Sequence, residues 1–146
     1  MARSIVRLVE PIARKRGVRV SVTSAGRVLA QGDAAQLEHV VSNLVVNAIQ
    51  ACDDGGRVEI SCERDATTGD AERVRLQVSD DGHGMNTDTL ERVFEPFFTT
   101  KDVGQGTGLG LSVAHGIIEE HGGSISVQSE LRHGSTFSVV LPAVSQ

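Results

Sequence analysis

The sequence predicts an α/β domain of the α+β type, a two-layer sandwich with helices on one face of a mixed, mostly antiparallel sheet. Strand-like segments alternate apolar and polar residues, as at Val74, Leu76 and Val78, which is typical of strands with one buried and one wet face. Helix-like segments repeat apolar residues every three or four positions. Since 146 residues suffice for one core, we expect the two layers to pack against each other.

A helix and a strand are expected at the start of the chain. Ile5, Leu8, Val9 and Ile12 recur at helical spacing, which predicts a helix over residues 3–16 that Gly17 closes. Valines at positions 18, 20 and 22 then alternate with polar residues and predict the first strand, and residues 28–30 suggest a short second one.

The longest apolar pattern follows a helix-start signal. Asp33 and Gln36 have the spacing of a capping box, and apolar residues repeat at helical spacing from Leu37 to Ile49. This helix is expected to end before the run 53–56, which contains two glycines. Alternation over residues 58–62 and 74–78 then predicts a β-hairpin.

Residues 80–110 show little regular pattern apart from a helical turn at 87–93. A segment of this length inside a compact domain is usually functional or disordered. A second apolar helix is expected over 111–121, stopped by Gly122 and Gly123, and two further strands are expected around 125–127 and 137–141.

Composition excludes several classes of protein. Fourteen Lys and Arg against nineteen Asp and Glu give a net charge of −5, and Trp and Tyr are absent, so a basic nucleic-acid surface is not expected. No apolar run approaches the roughly 18 residues of a membrane span, and the first residues lack a signal peptide, which favours a soluble, cytoplasmic domain without membrane contact. Cys52 and Cys62 lack CxxC spacing and are expected to be reduced core thiols rather than disulfide or metal partners.

A polar strip borders the apolar face of the helix that Asp33 opens. Asn43 and Asn47 are four residues apart, and Gln36 and Gln50 fall near them around the helix. Amide oxygens at the edge of a cleft suit Mg²⁺ when phosphates supply its other ligands. The alternative is a solvated polar face.

Asp80 continues the inward phase of the strand 74–78, so its carboxylate is expected on the core side and that of Asp81 on the other. A buried carboxylate needs hydrogen-bond donors. The exocyclic amine of adenine is one candidate donor, and the alternative is a carboxylate that caps the turn at 82–84. Gly82 and Gly84 would let the backbone approach a planar ligand closely.

Glycine occupies every second position from Gly104 to Gly110, directly before the predicted helix at 111–121. Successive backbone N–H groups and a helix N-terminus form an anion site suited to phosphates. The alternative is a flexible hinge. The run is neither a P-loop nor a dinucleotide fingerprint, because it lacks Gly-Lys-Ser/Thr and the G-x-G-x-x-G spacing.

In this order the motifs resemble the boxes of sensor histidine kinases. The N, first glycine, phenylalanine, second glycine and last glycine boxes are matched by Asn43-x-x-x-Asn47-Ala48, Asp80-x-Gly82-x-Gly84, Phe94-Glu95-Pro96-Phe97-Phe98, Gly104-x-Gly106-x-Gly108-Leu109-Gly110-Leu111 and Gly134-Ser135-Thr136-Phe137. The resemblance covers residues 18–142 and implies a Bergerat-type ATP-binding fold with a long ATP lid, shared with gyrase, heat-shock-type chaperones and mismatch-repair ATPases.

The resemblance implies ATP and Mg²⁺ as cofactors. It implies catalytic roles for Asn43 and Asn47, with Asn47 as the Mg²⁺ ligand, and an adenine-binding role for Asp80. Many histidine kinases place a basic residue at the position of Gln50. The implied cofactor-binding residues beside Asn47 and Asp80 are Gln50, Gly82, Gly84, Met85, Phe94, Thr100, Lys101, Gly104, Gly106, Thr107, Gly108, Leu109, Gly110, Leu111 and Thr136.

Asn43 occupies the place of the glutamate that activates water in hydrolysing members of this superfamily. An amide cannot act as a general base, so transfer to a protein nucleophile is favoured over hydrolysis. The resemblance implies the catalytic domain of a two-component protein-histidine kinase, which transfers the γ-phosphoryl group of Mg·ATP to a histidine on a separate dimerisation domain. The alternative is a freestanding ATPase or a protein-serine kinase of the same fold.

The resemblance also divides the chain. Residues 1–17 are expected to be a helix at the junction to a dimerisation and phosphoacceptor domain, and residues 18–146 the catalytic domain. A response regulator would be reached through that other domain, and whether the parent protein is membrane-anchored stays open. The five histidines are expected to be structural or solvated, and His115 and His121, six residues apart, do not share a helix face. The three phenylalanines at 94, 97 and 98 are expected to anchor the long loop, the alternative being a partner-binding patch.

Overall fold

The computed structural model describes residues 2–24, 34–65, 73–95 and 110–142. Within them the elements in chain order are α1 (Ala2–Arg16), β1 (Arg19–Ser24), α2 (Ala34–Ala51), β2 (Arg57–Asp65), β3 (Arg73–Asp80), α3 (Thr87–Arg92), α4 (Gly110–Glu120), β4 (Ser124–Glu130) and β5 (Gly134–Pro142). The strand expected at 28–30 and the capping residue Asp33 lie outside the described residues.

The five strands form one sheet in the order β1-β2-β3-β5-β4. β1 runs parallel to β2, and the other three pairs are antiparallel. The predicted hairpin β2–β3 is confirmed, and the two further predicted strands, β4 and β5, pair as a second hairpin. Residues of β3 alternate between buried and half-buried, and those of β4 between half-buried and exposed. The sheet therefore has one core face and one wetter face, as the two-layer prediction requires.

Helix α2 lies at the centre of the core. Its side chains Val40, Leu44 and Ile49 are fully buried, and they join Ile60 of β2 and Val78 of β3 in one hydrophobic cluster. Helix α2 packs against α1 and α4 as well as the sheet. Both neighbouring helices are thereby fixed relative to the strand ends. Among the described residues, no helix is long and apolar enough to cross a lipid bilayer.

Helix α1 turns a different face to the core than its apolar spacing suggests. Ile5, Val9 and Ala13 are buried, whereas Leu8 and Ile12 are 63% and 41% exposed. Apolar residues continue around this helix, so spacing alone does not choose the inward side. The contacts of α1 with α2 and β1 choose the Ile5, Val9 and Ala13 face.

The end of α1 fixes the end of α2. Gly17 closes α1 with a φ of 69°, the left-handed conformation that glycine adopts readily. Arg16 donates through Nη2 to the carbonyl oxygens of Gln50 and Cys52, at 3.0 and 3.1 Å. These carbonyls lie at the C-terminal end of α2, where backbone acceptors lack partners within the helix. Arg16 therefore caps α2 from a different element.

Candidate nucleotide-binding site

Asp80 is the last residue of β3, and its carboxylate faces the core as predicted. Its Oδ1 accepts a hydrogen bond from the backbone N–H of Gly82 at 2.9 Å. The carboxylate also accepts from the backbone N–H of Ser135, the residue opposite Asp80 on β5. Burial raises the pKa of Asp80, and these two hydrogen bonds act in the opposite direction. A carboxylate offers about four acceptor positions, so the turn-capping role and acceptance from a ligand amine are compatible.

Asp81, the residue after Asp80, is exposed. Its Oδ1 accepts from the backbone N–H of Arg57 at 2.8 Å and lies 3.8 Å from the Sγ atom of Cys52. Burial, with the neighbouring charges of Asp80 and Asp81, raises the pKa of Cys52 to about 11. Cys52 and Cys62 are both free, and Cys52 lies in the core as expected, whereas Cys62 is half-buried. Cys52 is thus a neutral packing group beside the site.

The loop after Asp80 is fixed on two sides. The backbone N–H of His83 donates to the carbonyl oxygen of Ala51, at the end of α2, over 3.0 Å. On the other side, the N–H of Arg132 donates to the carbonyl oxygen of His83 at 2.7 Å, and the N–H of Met85 donates to Ser129 Oγ at 2.8 Å. The loop is therefore held between α2 and the β4–β5 turn.

Gly82 and Gly84 are required by contacts within the protein. A Cβ atom at Gly82 would collide with the carbonyl oxygen of Ala51. Gly84 has a φ of 69°, and a Cβ atom there would collide with the carbonyl oxygen of Glu130. The reason expected from the sequence was close approach to a planar ligand. The described contacts show that backbone packing inside the domain also requires glycine at both positions.

The polar strip of α2 meets the start of α4. Asn43 donates through Nδ2 to the carbonyl oxygen of Gly110 at 3.5 Å, and the same atom lies 3.5 Å from His39 Nε2. Asn43, Asn47 and Gln50 are all half-buried. Gly110 ends the glycine-rich run of the sequence, so two of the predicted motifs adjoin in space.

The donor set of this strip fits a nucleotide with its metal. Amide oxygens are hard donors of the kind Mg²⁺ accepts. Within the described residues, the side-chain Oε1 of Gln50 is buried and has no hydrogen-bond partner. Such an orphaned acceptor is costly in an empty protein interior and suits a site that a polar ligand completes.

Thr136, a predicted site residue, and its neighbour Ser135 lie on opposite faces of the sheet. Strand alternation places Thr136 on the wetter face of β5, where its Oγ1 lies 3.0 Å from Ser79 Oγ. Ser135 is the buried residue beside Asp80, with 7% of its surface exposed. The inward phase of Phe137 and the residues that alternate after it could have identified Ser135 from sequence. Resemblance to the last glycine box does not indicate which of its side chains face the core.

Phe94 supports the interpretation of a loop anchor. Its ring meets Phe137 edge-on, with centroids 6.3 Å apart, and lies 5.2 Å from the ring of His115. Met85 and Leu111 also pack against the core. The predicted residues that lie outside the described part of the chain are Phe97, Phe98, Thr100, Lys101, Gly104, Gly106, Thr107, Gly108 and Leu109.

The described histidines have local partners. His83 Nε2 lies 2.9 Å from Asp53 Oδ1, and His121 Nδ1 lies 2.7 Å from the carbonyl oxygen of Ile117. His115 lies 3.4 Å from Glu119 on the same helix. In the part of the chain that the structure covers, no group of three or more His, Cys, Asp or Glu residues could hold a metal ion. These contacts agree with structural or solvated roles.

Comparison with known proteins decides the family. Residues 32–145 match the model described as histidine kinase-, DNA gyrase B-, and HSP90-like ATPase. The chain belongs to this ATPase family. Sensor kinase CckA of Brucella abortus is 42% identical in a match covering 77% of this chain and 13% of its own length. Sensor histidine kinase ZraS of Escherichia coli K12 is 42% identical over 77% of this chain and 23% of its own length, so the chain spans under a quarter of either relative.

Solved structures of the ATPase family share the fold. The catalytic domain of histidine kinase ThkA has a TM-score of 0.81 and 35% identity, covering 96% of this chain and 88% of the ThkA chain. Full-length ShkA in complex with AMPPNP has a TM-score of 0.83 and 28% identity, covering 99% of this chain and 29% of ShkA. The predicted histidine kinase-type catalytic, ATP-binding domain is thereby confirmed.

Proposed function

We propose that this domain binds Mg·ATP along α2 and delivers the γ-phosphoryl group to a histidine on a separate dimerisation domain, from which a response regulator receives it. The observation that carries the proposal is that the Asp80 loop and the end of the glycine-rich run both contact α2, at two separate positions along the helix. The loop of Asp80 contacts Ala51, and Asn43 contacts Gly110. Eight residues of helix separate Asn43 from Ala51, about 12 Å at 1.5 Å per residue, a span that suits an extended nucleotide.

The base is assigned to the Asp80 end. An ionised carboxylate only accepts hydrogen bonds, and adenine presents an amine where guanine presents a carbonyl oxygen. Gly82 and Ser135 fix the carboxylate by donating to it. A carboxylate in a fixed position therefore favours ATP over GTP.

The phosphates are assigned to the Asn43 end. Asn47 would bind Mg²⁺, with Asn43 and Gln50 beside it on the same strip. Bound Mg²⁺ neutralises phosphate charge, and this chain's own residues supply position and acceptors. An amide at Asn43 does not take a proton from water, so phosphoryl transfer to a protein is favoured over hydrolysis. The structure of ShkA with AMPPNP supports a nucleotide in a domain of this shape.

We infer further that residues 1–17 form the junction to the dimerisation domain and that the domain works in the cytoplasm, where ATP is available. The buried face of α1, with Ile5, Val9 and Ala13, supports a junction that is packed onto the catalytic domain. Motion of the other domain would then be transmitted through α1 and Arg16 to the end of α2.

The test follows the γ-phosphate of labelled Mg·ATP given to this chain together with a histidine-bearing dimerisation domain of its parent protein. We expect acid-labile label on that domain and little free phosphate. Rapid phosphate release without labelled protein would establish an ATPase instead, and acid-stable label would establish a serine kinase. The Asp80→Asn variant is the control, because it should leave the domain unlabelled.

A further inference from the structure

Ser129 of β4 contacts two other segments, the loop after Asp80 and the start of β5, through one hydroxyl group. It lies on the core-facing side of β4, half-buried. Its Oγ accepts from the N–H of Met85 at 2.8 Å, lies 3.0 Å from the carbonyl oxygen of Gly134, and lies 2.7 Å from Ser135 Oγ. All three distances are in the range of good hydrogen bonds.

The number of hydroxyl hydrogens and acceptor positions determines which group donates in each of these hydrogen bonds. A serine hydroxyl has one hydrogen and two acceptor positions. If Ser129 donates to Gly134, then Ser135 donates to Ser129, and the second acceptor position of Ser129 takes the N–H of Met85. All three contacts are then satisfied at once. The hydroxyl of Ser129 therefore sets the orientation of the Ser135 hydroxyl.

The cluster reaches Asp80 through Ser135. The two residues are opposite each other on β3 and β5, and the N–H of Ser135 donates to the Asp80 carboxylate. A second hydrogen bond between the loop 82–85 and the β4–β5 turn is made by backbone atoms, from Arg132 N–H to the carbonyl oxygen of His83. The Ser129 hydroxyl is thus a side-chain link between the strand pair that carries Asp80 and the loop beyond it.

We propose that Ser129 is a positioning residue of the base site: its hydroxyl fixes the Met85 backbone relative to the Asp80 and Ser135 pair and so sets the preference for adenine. The inference rests on the proposed function, because it assigns the base to Asp80. Ser129 itself touches neither the base nor the phosphates. It acts through Met85 and Ser135.

The experiment titrates this chain with Mg·ATP and Mg·GTP by calorimetry. Loss of hydrogen bonds of this kind predicts that Ser129→Ala weakens ATP binding by about tenfold and lowers the ratio of ATP to GTP affinity. Ser129→Thr retains the hydroxyl and should restore both values to within about twofold. Ser126→Ala is the matched control, because Ser126 lies exposed on the other face of β4. This variant should bind ATP as tightly as the unaltered chain does.

A second measurement tests whether the Ser129 hydroxyl holds the Met85 backbone in place. Hydrogen exchange of the Met85 amide should be faster in Ser129→Ala than in the unaltered chain, while the amides of β2 exchange at the same rate. If the alanine variant does not fold, Ser129→Cys replaces it, because sulfur is a weaker acceptor and should give the same changes at smaller size.

Two outcomes overturn the inference. Unchanged ATP affinity and selectivity in Ser129→Ala would show that the hydroxyl does not position the site. An equal loss of ATP and GTP binding that Ser129→Thr does not restore would indicate a purely structural residue. Asp80→Asn is titrated in parallel. If Asp80→Asn keeps its ATP affinity, the assignment of the base to Asp80 is wrong. If Asp80→Asn loses ATP binding and Ser129→Ala does not, only the role of Ser129 is refuted.

Discussion

The side chain of Asn43 donates to the carbonyl oxygen of Gly110 over 3.5 Å, which ties the middle of α2 to the first residue of α4. The same helix contacts the loop of Asp80 through the carbonyl oxygen of Ala51. Helix α2 is therefore the spacer between the proposed base and phosphate ends. Substitutions of Asp80 and of Asn47 should therefore affect different parts of the ligand.

Asp80→Asn is expected to abolish ATP binding without lowering stability. Burial raises the pKa of Asp80, which means that the ionised form is disfavoured in the folded chain. Asparagine removes that charge and still offers one oxygen to the N–H groups of Gly82 and Ser135. Calorimetry should detect no ATP binding, and urea unfolding should give a free energy at least equal to that of the unaltered chain. Retained ATP affinity would refute the adenine assignment.

Asn47→Ala is expected to separate metal-dependent from metal-independent binding. Removal of an Mg²⁺ ligand should weaken Mg·ATP binding by roughly tenfold or more but leave the smaller affinity for ATP in EDTA unchanged. Titrations with and without Mg²⁺ measure both values. Normal phosphoryl transfer by Asn47→Ala would contradict the metal role. Ser42→Ala is the control, because Ser42 lies on the same helix but does not belong to the polar strip.

Gly82→Ala and Gly116→Ala form a matched pair with opposite expected signs. A Cβ atom at Gly82 would meet the carbonyl carbon of Ala51 at 2.6 Å, so the loop or the end of α2 must move. We expect a loss of about 2 kcal/mol or more in the free energy of unfolding. Gly116 lies inside α4, where the added methyl meets nothing within 4 Å, and alanine there should stabilise by about 0.5–1 kcal/mol. Urea unfolding of both variants checks the prediction, and equal effects would contradict it.

We expect the raised pKa of Cys52 to lower the free energy of unfolding at alkaline pH. Its pKa is raised from 9.0 to about 11 in the folded chain, so between these values the unfolded state loses its proton first. Stability should therefore be unaffected by this group below pH 9 and fall by about 2–3 kcal/mol as the pH rises to 11. Urea unfolding from pH 8 to 11 should show a shallower decline for Cys52→Ala than for the unaltered chain. Parallel declines would assign the effect to other groups.

The sequence predicted those features that depend on neighbours along the chain. Alternation identified the β2–β3 hairpin and the strands β4 and β5. It also placed the Asp80 carboxylate on the core side, because residue phase in a strand follows directly from sequence position. Helical spacing identified α2 and α4. The family's motif order identified the site region, and the structure places Asn43 and Gly110 in contact.

Features that depend on distant segments were not predictable in this way. The inward face of α1 is chosen by α2 and β1, so the exposure of Leu8 was missed. The parallel pairing of β1 with β2 joins segments separated by all of α2. The need for glycine at 82 and 84 comes from carbonyl groups of other elements. Motif likeness indicated Thr136, and the contact of Ser135 with Asp80 depends on the pairing of β3 with β5.

The pairing of β3 with β5 has a consequence for how the chain folds. β2–β3 and β4–β5 are hairpins of consecutive strands, whereas β3 pairs with β5 across α3, α4 and β4. Contacts between distant segments form only after the entropy of closing a large loop has been overcome, so they are slow relative to hairpins. Asp80 meets Ser135 across this seam, so we expect the proposed base site to be assembled late in folding. A nucleotide that binds only the assembled site would slow the reopening of the seam and favour the folded chain by mass action.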